Sequence, residues 1–297
     1  MTKTGYFAPL GLEKPLKEEV KNRSAEYGRL FIAEGDPQNS YWAQNIWYNL
    51  EEIPITSISD GAKKLRERGR LWSFYPYQEV RRGHLITEKL PHFLPKPLTF
   101  PAELPKAPLG SWMLLNKGTI LAASHCSSPF AQGEVHFQES SIPPSRAYLK
   151  LWEIFLKIGR RVQPHEKCLE LGASPGSWTW VLGELGARVI ACDRAPLDPK
   201  IGALPGVSFL KKDAFSLTPA DYPDLDWIFS DLICYPEKLL KWVIPFLEAE
   251  KKINIVCTLK FQGDEGYDIV KEFEKIPGSQ IMHLFHNKHE LTWVYLS

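Results

Sequence analysis

The chain lacks the features that mark several large classes of protein. Its 297 residues carry a net charge of only +1, so no overall positive field indicates a nucleic-acid partner. No apolar run approaches the roughly 18 residues that a membrane span requires. Residues 1–10 do not combine a basic start with an apolar core, as a signal peptide would. We therefore expect a cytoplasmic protein with no membrane partner.

Metal and disulfide patterns are also missing. The five cysteines are odd in number, widely separated and never in a CxxC pair, which argues against a zinc site or a disulfide framework and for a reducing compartment. Three histidines, His283, His286 and His289, flank a predicted hairpin tip, and we interpret them as surface residues or RNA contacts. We expect no metal.

Neither the dinucleotide fingerprint G-x-G-x-x-G nor a phosphate-binding P-loop occurs near the most informative segment, residues 168–178. There an apolar run ends in Gly172, Gly176 follows four residues later, and an amphipathic helix begins at Ser177. Strand, glycine turn and helix form the first unit of a doubly wound α/β nucleotide-binding domain. The alternative is an ordinary strand-to-helix turn with a structural Gly-Pro-Gly sequence.

Acidic residues around this turn indicate the ligand. Glu170 at the strand end suits an ammonium group, and the helix N-terminus suits a carboxylate; together these describe the amino-acid half of S-adenosylmethionine, the cofactor we predict. Asp193, 21 residues beyond Gly172, lies where an acidic residue accepts hydrogen bonds from ribose hydroxyls. Asp213 is placed to accept from an adenine amino group, although a helix N-cap role is the alternative for each aspartate. The predicted cofactor-binding residues are Glu170, Gly172, Ser174, Gly176, Ser177, Trp178, Asp193, Asp213 and Asp231.

The order of predicted elements defines the fold class. From residue 144 onward strands and helices alternate, which predicts an α/β, Rossmann-like domain of the class I methyltransferase type, with a mostly parallel seven-stranded sheet and an antiparallel last strand. Residues 1–109 are predicted to form a smaller α+β domain, with a helix at about Leu12–Tyr27. Residues 110–143 are predicted to form a connector with a hairpin, and residues 144–297 the S-adenosylmethionine-dependent methyltransferase domain.

Four residues carry a family resemblance. Lys150 in the helix before the glycine turn, Asp231 after the fourth strand, Lys260 after the fifth and Glu290 at the start of the last match the tetrad of the FtsJ-like ribose 2'-O-methyltransferases. Within that group the chain resembles the bacterial 23S ribosomal RNA cytidine 2'-O-ribose methyltransferase M family over about residues 127–297. Further segments that carry the resemblance are Ser128-Pro129-Phe130, Pro144-Ser145-Arg146, Leu171-Gly172-Ala173, Pro175-Gly176, Trp178-Thr179 and Leu259-Lys260.

The resemblance departs from the family in two places. Ser177 stands where the second motif glycine is expected, a change that the fold should tolerate. Residues 5–14 resemble the start of the family, but the resemblance is poor between about 30 and 110, where the family carries a ferredoxin-like segment and an RNA-binding THUMP domain. We therefore expect a reduced, THUMP-like domain that presents RNA.

The resemblance implies 2'-O-ribose methylation of RNA, most directly of 23S ribosomal RNA. A ribose hydroxyl must lose its proton to attack, and a lysine acts as base only when its amine is neutral, a form that burial and a neighbouring like charge favour. Our hypothesis makes Lys260 the base and Lys150 its charged neighbour, with Asp231 and Glu290 orienting both amines. The alternatives are a catalytically silent RNA-binding protein that retains the fold, a methyltransferase for another RNA, and methylation of a small molecule or protein.

A local basic stretch suggests how RNA could be held. Between positions 63 and 82 there are seven basic residues against two acidic ones, with four aromatic residues interleaved. This composition suits phosphate contacts and base stacking, although a helix with a solvated charged face, followed by a half-buried strand, explains it equally well. The predicted RNA-binding residues are Lys63, Lys64, Arg66, Arg68, Arg70, Arg81, Arg82 and Arg146.

Overall fold

The computed structural model describes residues 2–92, 96–249, 252–263 and 266–297. The chain divides into two compact units, residues 1–137 and 138–297. Each unit is described separately below.

The first unit contains two sheets. One has the strand order β2-β3-β1-β4-β9, with every neighbouring pair antiparallel. Its strands are β1 (Lys3–Phe7), β2 (Arg23–Tyr27), β3 (Leu30–Glu34), β4 (Asn45–Tyr48) and β9 (His125–Cys126). The other sheet has the order β5-β8-β7-β6. Its strands are β5 (Glu51–Pro54), β6 (Trp72–Phe74), β7 (Gly110–Asn116) and β8 (Thr119–Ala123).

Three helices complete the first unit: α1 (Glu13–Glu19), α2 (Ile58–Arg68) and α3 (Val80–Thr87). Ser57 caps α2 by accepting a hydrogen bond from the backbone N–H of Asp60, so the basic stretch begins on a well-formed helix. The buried side of α2 joins one apolar cluster with Trp72, Ile86 and Trp112.

Two expectations for this unit need correction. The helix expected over Leu12–Tyr27 ends at Glu19, because Asn22 takes a left-handed φ of 53° and the chain then enters β2, whose backbone pairs with β3. The hairpin assigned to a connector lies inside the first unit, since β8 pairs with β5 and β7 pairs with both β8 and β6. The observed division therefore falls after residue 137, rather than at 109 and 143.

The second unit is built on a seven-stranded sheet of order β12-β11-β10-β13-β14-β16-β15. The strands β10 to β14 run parallel, and β16 is antiparallel to both of its neighbours. This arrangement confirms the predicted fold class. The strands are β10 (Lys167–Leu171), β11 (Arg188–Asp193), β12 (Val207–Lys211), β13 (Trp227–Ser230), β14 (Asn254–Lys260), β15 (Ser279–Met282) and β16 (Glu290–Tyr295).

In the described part of this unit, the α-helices are α4 (Tyr148–Ile158), α5 (Ser177–Glu184), α6 (Pro199–Gly202), α7 (Pro236–Glu248) and α8 (Ile269–Glu274). Phe155 of α4 packs edge-on against Trp227 and Phe229 of β13, with ring centroids 6.2 and 6.1 Å apart. This packing holds α4 against the middle of the sheet.

Within the described ranges, no helix combines the length and the apolar character needed to cross a membrane.

Candidate active site

The glycine turn lies between β10 and α5 and requires its glycines. Gly172 and Gly176 take positive φ values of 75° and 116°, which side chains rarely adopt. A Cβ atom at Gly176 would lie 2.7 Å from Cγ2 of Ile201, and one at Gly172 would lie 3.1 Å from the Cα atom of Leu232. The turn is therefore a close backbone approach that no other residue type fits without displacing its neighbours.

Asp193, at the end of β11, is tied to this turn. Its carboxylate accepts hydrogen bonds from the backbone N–H of Ser174 at 3.0 Å and of Ala195 at 2.9 Å. Asp213 follows β12 and caps a short helical turn by accepting from the N–H of Phe215 at 3.0 Å. That hydrogen bond, together with an ion pair to Arg194, holds the pKa of Asp213 below its usual value. Both aspartates thus lie at carboxyl ends of parallel strands, where such sheets bind ligands.

Glu170 is buried, at 2% exposure, at the end of β10. Burial raises the pKa of its carboxyl to about 8, and the nearby negative charges of Asp231 and Asp193 act in the same direction. The hydroxyl of Thr179 donates a hydrogen bond to it at 2.6 Å, which only partly opposes this effect. In the ligand-free protein Glu170 is therefore largely protonated at pH 7.

The side chains of Ser177 and Trp178, both predicted to bind the cofactor, make internal contacts. The two hydroxyls of Ser177 and Ser145 lie 2.7 Å apart, and the indole N–H of Trp178 donates to the carbonyl of Ala147 at 2.9 Å. These contacts join the start of α5 to the segment that leads into α4.

The four tetrad side chains converge. The ammonium of Lys150, on α4, donates to both carboxylate oxygens of Asp231 at 2.9 and 2.8 Å and to Glu290 at 3.0 Å. Lys260 lies 2.9 Å from the Asp231 carboxylate and also donates to the Asp231 backbone carbonyl at 2.6 Å. Lys260 and Glu290 are directly opposite each other in the antiparallel pairing of β14 with β16. Two amines and two carboxylates thus form one connected cluster.

The charges of this cluster stabilise one another. Burial lowers the pKa of Lys150, but the charges of Asp231 and Glu290 outweigh it, so that pKa lies above its ordinary value. Burial likewise raises the pKa of Asp231, but Lys150 and Lys260 together bring it below its ordinary value. Lys150 is therefore an ammonium and Asp231 a carboxylate at neutral pH.

A cleft of about 840 Å³ opens beside the cluster. Lys150, Lys260 and Glu290 line it, as do Ile233 and Cys234 from the segment after β13. Ile233 is 86% exposed, which is unusual for so large an apolar side chain. The cleft is thus large enough for a nucleoside and places the amines at its wall.

The predicted RNA-binding residues fall in two places. Arg146 lines the cleft of the second unit and forms an ion pair of 2.7 Å with Glu139. The other seven lie in the first unit, and several already have partners there: Lys63 with Glu67, Lys64 with Asp60, Arg66 with the carbonyl of Lys89 and Arg68 with Glu51. For Arg70 and Arg81, both exposed, the described residues provide no hydrogen-bonding or ionic partner.

Sequence reasoning missed two contributors. Thr258 donates to the Asp231 carboxylate at 2.8 Å, and its position two residues before Lys260 on the same strand face was a readable signal. Glu153, one helical turn after Lys150, is fully buried and bound to the backbone of Phe285 and His286. A lone glutamate in an apolar helix gives no sign of such a partner.

The interpretation of His283 as a surface residue or RNA contact needs correction. His283 is buried, and burial lowers its pKa to about 4. Its Nε2 lies 3.1 Å from the carbonyl of Lys288, whereas His286 pairs with Glu153 and His289 lies 2.6 Å from the hydroxyl of Tyr267. The three rings thus have separate partners, and the described part of the chain contains no group of three or more His, Cys, Asp or Glu residues suited to a metal ion.

Comparison with known proteins agrees with this geometry. Residues 143–289 match the model of the FtsJ-like methyltransferase family. Ribosomal RNA large subunit methyltransferase M of Halorhodospira halophila is 31% identical over 157 residues, which cover 50% of this chain and 46% of that protein. The protein of the same name from Marinobacter nauticus is 30% identical over 182 residues, covering 56% and 50% respectively.

A longer match is that to the protein of the same name from Xanthomonas campestris pv. campestris, 28% identical over 252 residues, which cover 79% of this chain and 68% of that protein. The chain spans about half the length of the Halorhodospira and Marinobacter relatives. These matches confirm the family that the tetrad and the glycine turn predicted. Through residues 143–289, the chain belongs to the FtsJ-like methyltransferase family.

Proposed function

We propose that this protein methylates a ribose 2'-hydroxyl of RNA, with large-subunit ribosomal RNA as its substrate and S-adenosylmethionine as its cofactor. The observation that carries the proposal is the cluster of Lys150, Asp231, Lys260 and Glu290 at the wall of a nucleoside-sized cleft. The printed names of the relatives support the choice of ribosomal RNA. Such a substrate would place the protein in the cytoplasm.

Chemistry assigns a task to each member of the cluster. Lys260 takes the proton from the ribose hydroxyl, so the oxygen becomes a competent nucleophile. Lys150, kept charged by two carboxylates, holds the ribose oxygen in line. Asp231 receives hydrogen bonds from both amines and from Thr258, which fixes their directions.

The glycine turn fits the proposed cofactor. Its two positive-φ glycines allow the sharp turn between β10 and α5, Asp193 lies beside the turn to accept from ribose hydroxyls, and Glu170 is a buried carboxyl suited to an ammonium group. When bound, S-adenosylmethionine supplies a methyl group already activated by its sulfonium. The side chains of Ser177 and Trp178 act here by holding α5 in place.

Cofactor affinity should depend on Glu170 in a pH-dependent way. The pKa of this group is about 8 in the ligand-free protein, and an ammonium ligand favours the carboxylate. Binding therefore releases a proton below pH 8, so affinity should rise between pH 6 and pH 8 and then level off. Titration calorimetry with S-adenosylhomocysteine at both pH values, in two buffers of different ionisation enthalpy, measures the effect.

Glu170→Gln provides the control, because it keeps the shape of the side chain but cannot titrate. The α-amino group of the ligand titrates equally in both proteins, so the difference between them isolates Glu170. An equal rise in affinity in the wild type and in Glu170→Gln would contradict the assignment.

In the first unit, we propose that the exposed basic residues present RNA. Arg70 and Arg81 have no partner among the described residues, whereas Arg68 is paired with Glu51. Reversing the charge at Arg70 and Arg81 together should weaken RNA binding about tenfold at 100 mM salt. It should also reduce the steepness of the plot of log binding constant against log salt concentration by about 2. Filter binding of ribosomal RNA across a salt series measures both quantities.

Reversal of Glu67, on the exposed face of α2, to Lys serves as the matched control, since it adds positive charge to the same stretch. It should leave RNA binding equal or tighter. If the double variant Arg70→Glu, Arg81→Glu binds RNA as tightly as the wild type, these two arginines do not contact RNA and the proposal for the basic stretch is wrong.

The proposed activity is tested directly by mapping ribose methylation in ribosomal RNA from cells with and without the protein. One lost methyl group, restored by the purified protein and labelled cofactor, supports the proposal. Binding of RNA with no transfer would instead identify a silent RNA-binding protein. Transfer to transfer RNA or another RNA alone would reassign the substrate.

A further inference from the structure

Basic side chains outnumber carboxylates among the described residues that line the cleft, and one of them, Arg146, is also paired with Glu139 at 2.7 Å. Lys150 and Lys260 are balanced by Asp231 and Glu290. The remaining ionisable nitrogen groups at its wall are contributed by Arg146, His286, Lys288 and His289, while Glu290 is the one carboxylate among its described lining residues. An excess of cations around a nucleoside-sized cleft favours an anionic ligand.

One of these groups is held in place by a buried acid. Glu153 is 0% exposed and accepts hydrogen bonds from the backbone N–H groups of Phe285 at 2.9 Å and His286 at 3.1 Å. Its carboxylate also lies 2.8 Å from Nδ1 of His286 and 3.6 Å from the ammonium of Lys157. Because a carboxylate only accepts, Nδ1 of His286 must carry the proton.

A buried carboxylate is costly unless it is paired. Burial raises the pKa of Glu153, but the His286 hydrogen bond and the Lys157 charge outweigh it and bring that pKa below its ordinary value. Glu153 is therefore ionised. Its hydrogen bonds hold the imidazole ring of His286 at a fixed place on the cleft wall, with Nδ1 as the donor toward Glu153.

Two residues of α4 bind the segment of residues 285–290. Lys150 binds Glu290, and Glu153, three residues later on α4, binds the backbone at positions 285 and 286. Segment 285–290 thus has both of its ends attached to α4. A wall fixed in this way is preorganised for a rigid ligand contact.

We propose that Arg146, His286 and Lys288 form a phosphate-binding subsite for the RNA strand beside the methylated ribose, with Glu153 as the positioning residue for His286. This inference rests on the proposed function. Phosphodiester oxygens lie on either side of every ribose, so a substrate whose 2'-hydroxyl reaches Lys260 brings a phosphate into the same cleft. Lys288 in segment 285–290 and Arg146, just ahead of α4, are both exposed and both line the cleft.

Steady-state kinetics on ribosomal RNA lacking the modification tests the subsite. His286→Gln and Lys288→Gln should each raise KM for RNA about tenfold, leave kcat within twofold and leave KM for S-adenosylmethionine unchanged. Each should also reduce the slope of log KM against log salt by about 1, as expected for one lost phosphate contact. His165→Gln, an exposed histidine of the same unit that does not line the cleft, is the matched control.

The role of Glu153 is tested by a double-mutant cycle. If Glu153 acts through His286, Glu153→Gln should raise KM for RNA in the wild type but add little in the His286→Gln background. Fully additive losses would overturn the positioning role. Since Glu153→Gln could fail to fold, the exposed Lys288→Gln variant keeps the subsite itself testable.

The outcomes separate the two proposals. If the wild type transfers no methyl group to RNA, the proposed function fails. If the wild type is active but His286→Gln and Lys288→Gln keep its KM and salt slope, only the phosphate subsite is overturned.

Discussion

Replacing Lys260 by Met should lower kcat for methyl transfer to RNA by roughly 10²–10⁴-fold, the contribution expected of a general base. Methionine keeps the length and much of the volume of the side chain but cannot accept a proton. Asp231 would still be bound to Lys150, so the substitution leaves no orphaned carboxylate. Single-turnover transfer of a labelled methyl group to ribosomal RNA measures the loss.

The affinity for S-adenosylhomocysteine separates a chemical effect from a structural one. Lys260 lines the substrate cleft and contacts Asp231, whereas the proposed cofactor contacts lie at the glycine turn, so this affinity should change less than threefold. Lys241→Met, at an exposed position of α7, is the matched control and should retain full activity. Near-normal turnover of Lys260→Met would reject the assignment of the base.

Asp231→Asn should reduce both stability and activity. The carboxylate contacts the amines of Lys150 and Lys260 at 2.8 and 2.9 Å, and its loss leaves the Lys150 ammonium with Glu290 as its remaining counter-charge. Removing one partner of a buried ion pair typically costs 3–5 kcal/mol, and about 3 kcal/mol is expected here because the cluster borders an open cleft. Urea unfolding at pH 7 measures the change, and kcat should fall in parallel.

The pH dependence of this stability difference has a defined sign. The pKa of Asp231 is lowered in the folded protein, so its contribution is fully present above the ordinary value of 3.8 and is lost as the pH falls through the lower folded value. The wild type and Asp231→Asn should therefore differ fully at pH 7 and converge below pH 3.8. The exposed pair of Asp268 and Lys271 provides the control: Asp268→Asn should change stability far less at pH 7. A difference that persists at acid pH would show that the effect is not electrostatic.

Much of the secondary structure of the second unit could be predicted from the sequence, because short sequence patterns indicate it. An apolar run that ends at Gly172, two glycines and an amphipathic helix that begins at Ser177 correctly predicted the end of β10, the turn and the start of α5. The same reasoning failed at Leu12–Tyr27, where helical periodicity continues past the end of α1. There, the left-handed backbone of Asn22 and the pairing of β2 with β3 replace the expected helix with a strand. Strand pairing depends on tertiary context, so the local sequence does not predict it.

Some residues of the candidate site could be predicted from the sequence, and others were found only in the structure. The resemblance to the FtsJ-like methyltransferases indicated Lys150, Asp231, Lys260 and Glu290 as a group, and the structure brings their side chains together. The attachment of Glu153 to the hairpin backbone could not be predicted, since its partners are main-chain groups 132 and 133 residues away.

The linear order of residues alone predicted the fold class and the glycine turn, since both depend on short-range pattern and strand order, and the family resemblance indicated the four tetrad members. Only the folded chain decided which charges neutralise one another, that Glu170 is largely protonated and that His286 is held by a buried acid. Those properties arise from burial and from distances between groups far apart along the chain, and both exist only after the sheet and its helices have packed together.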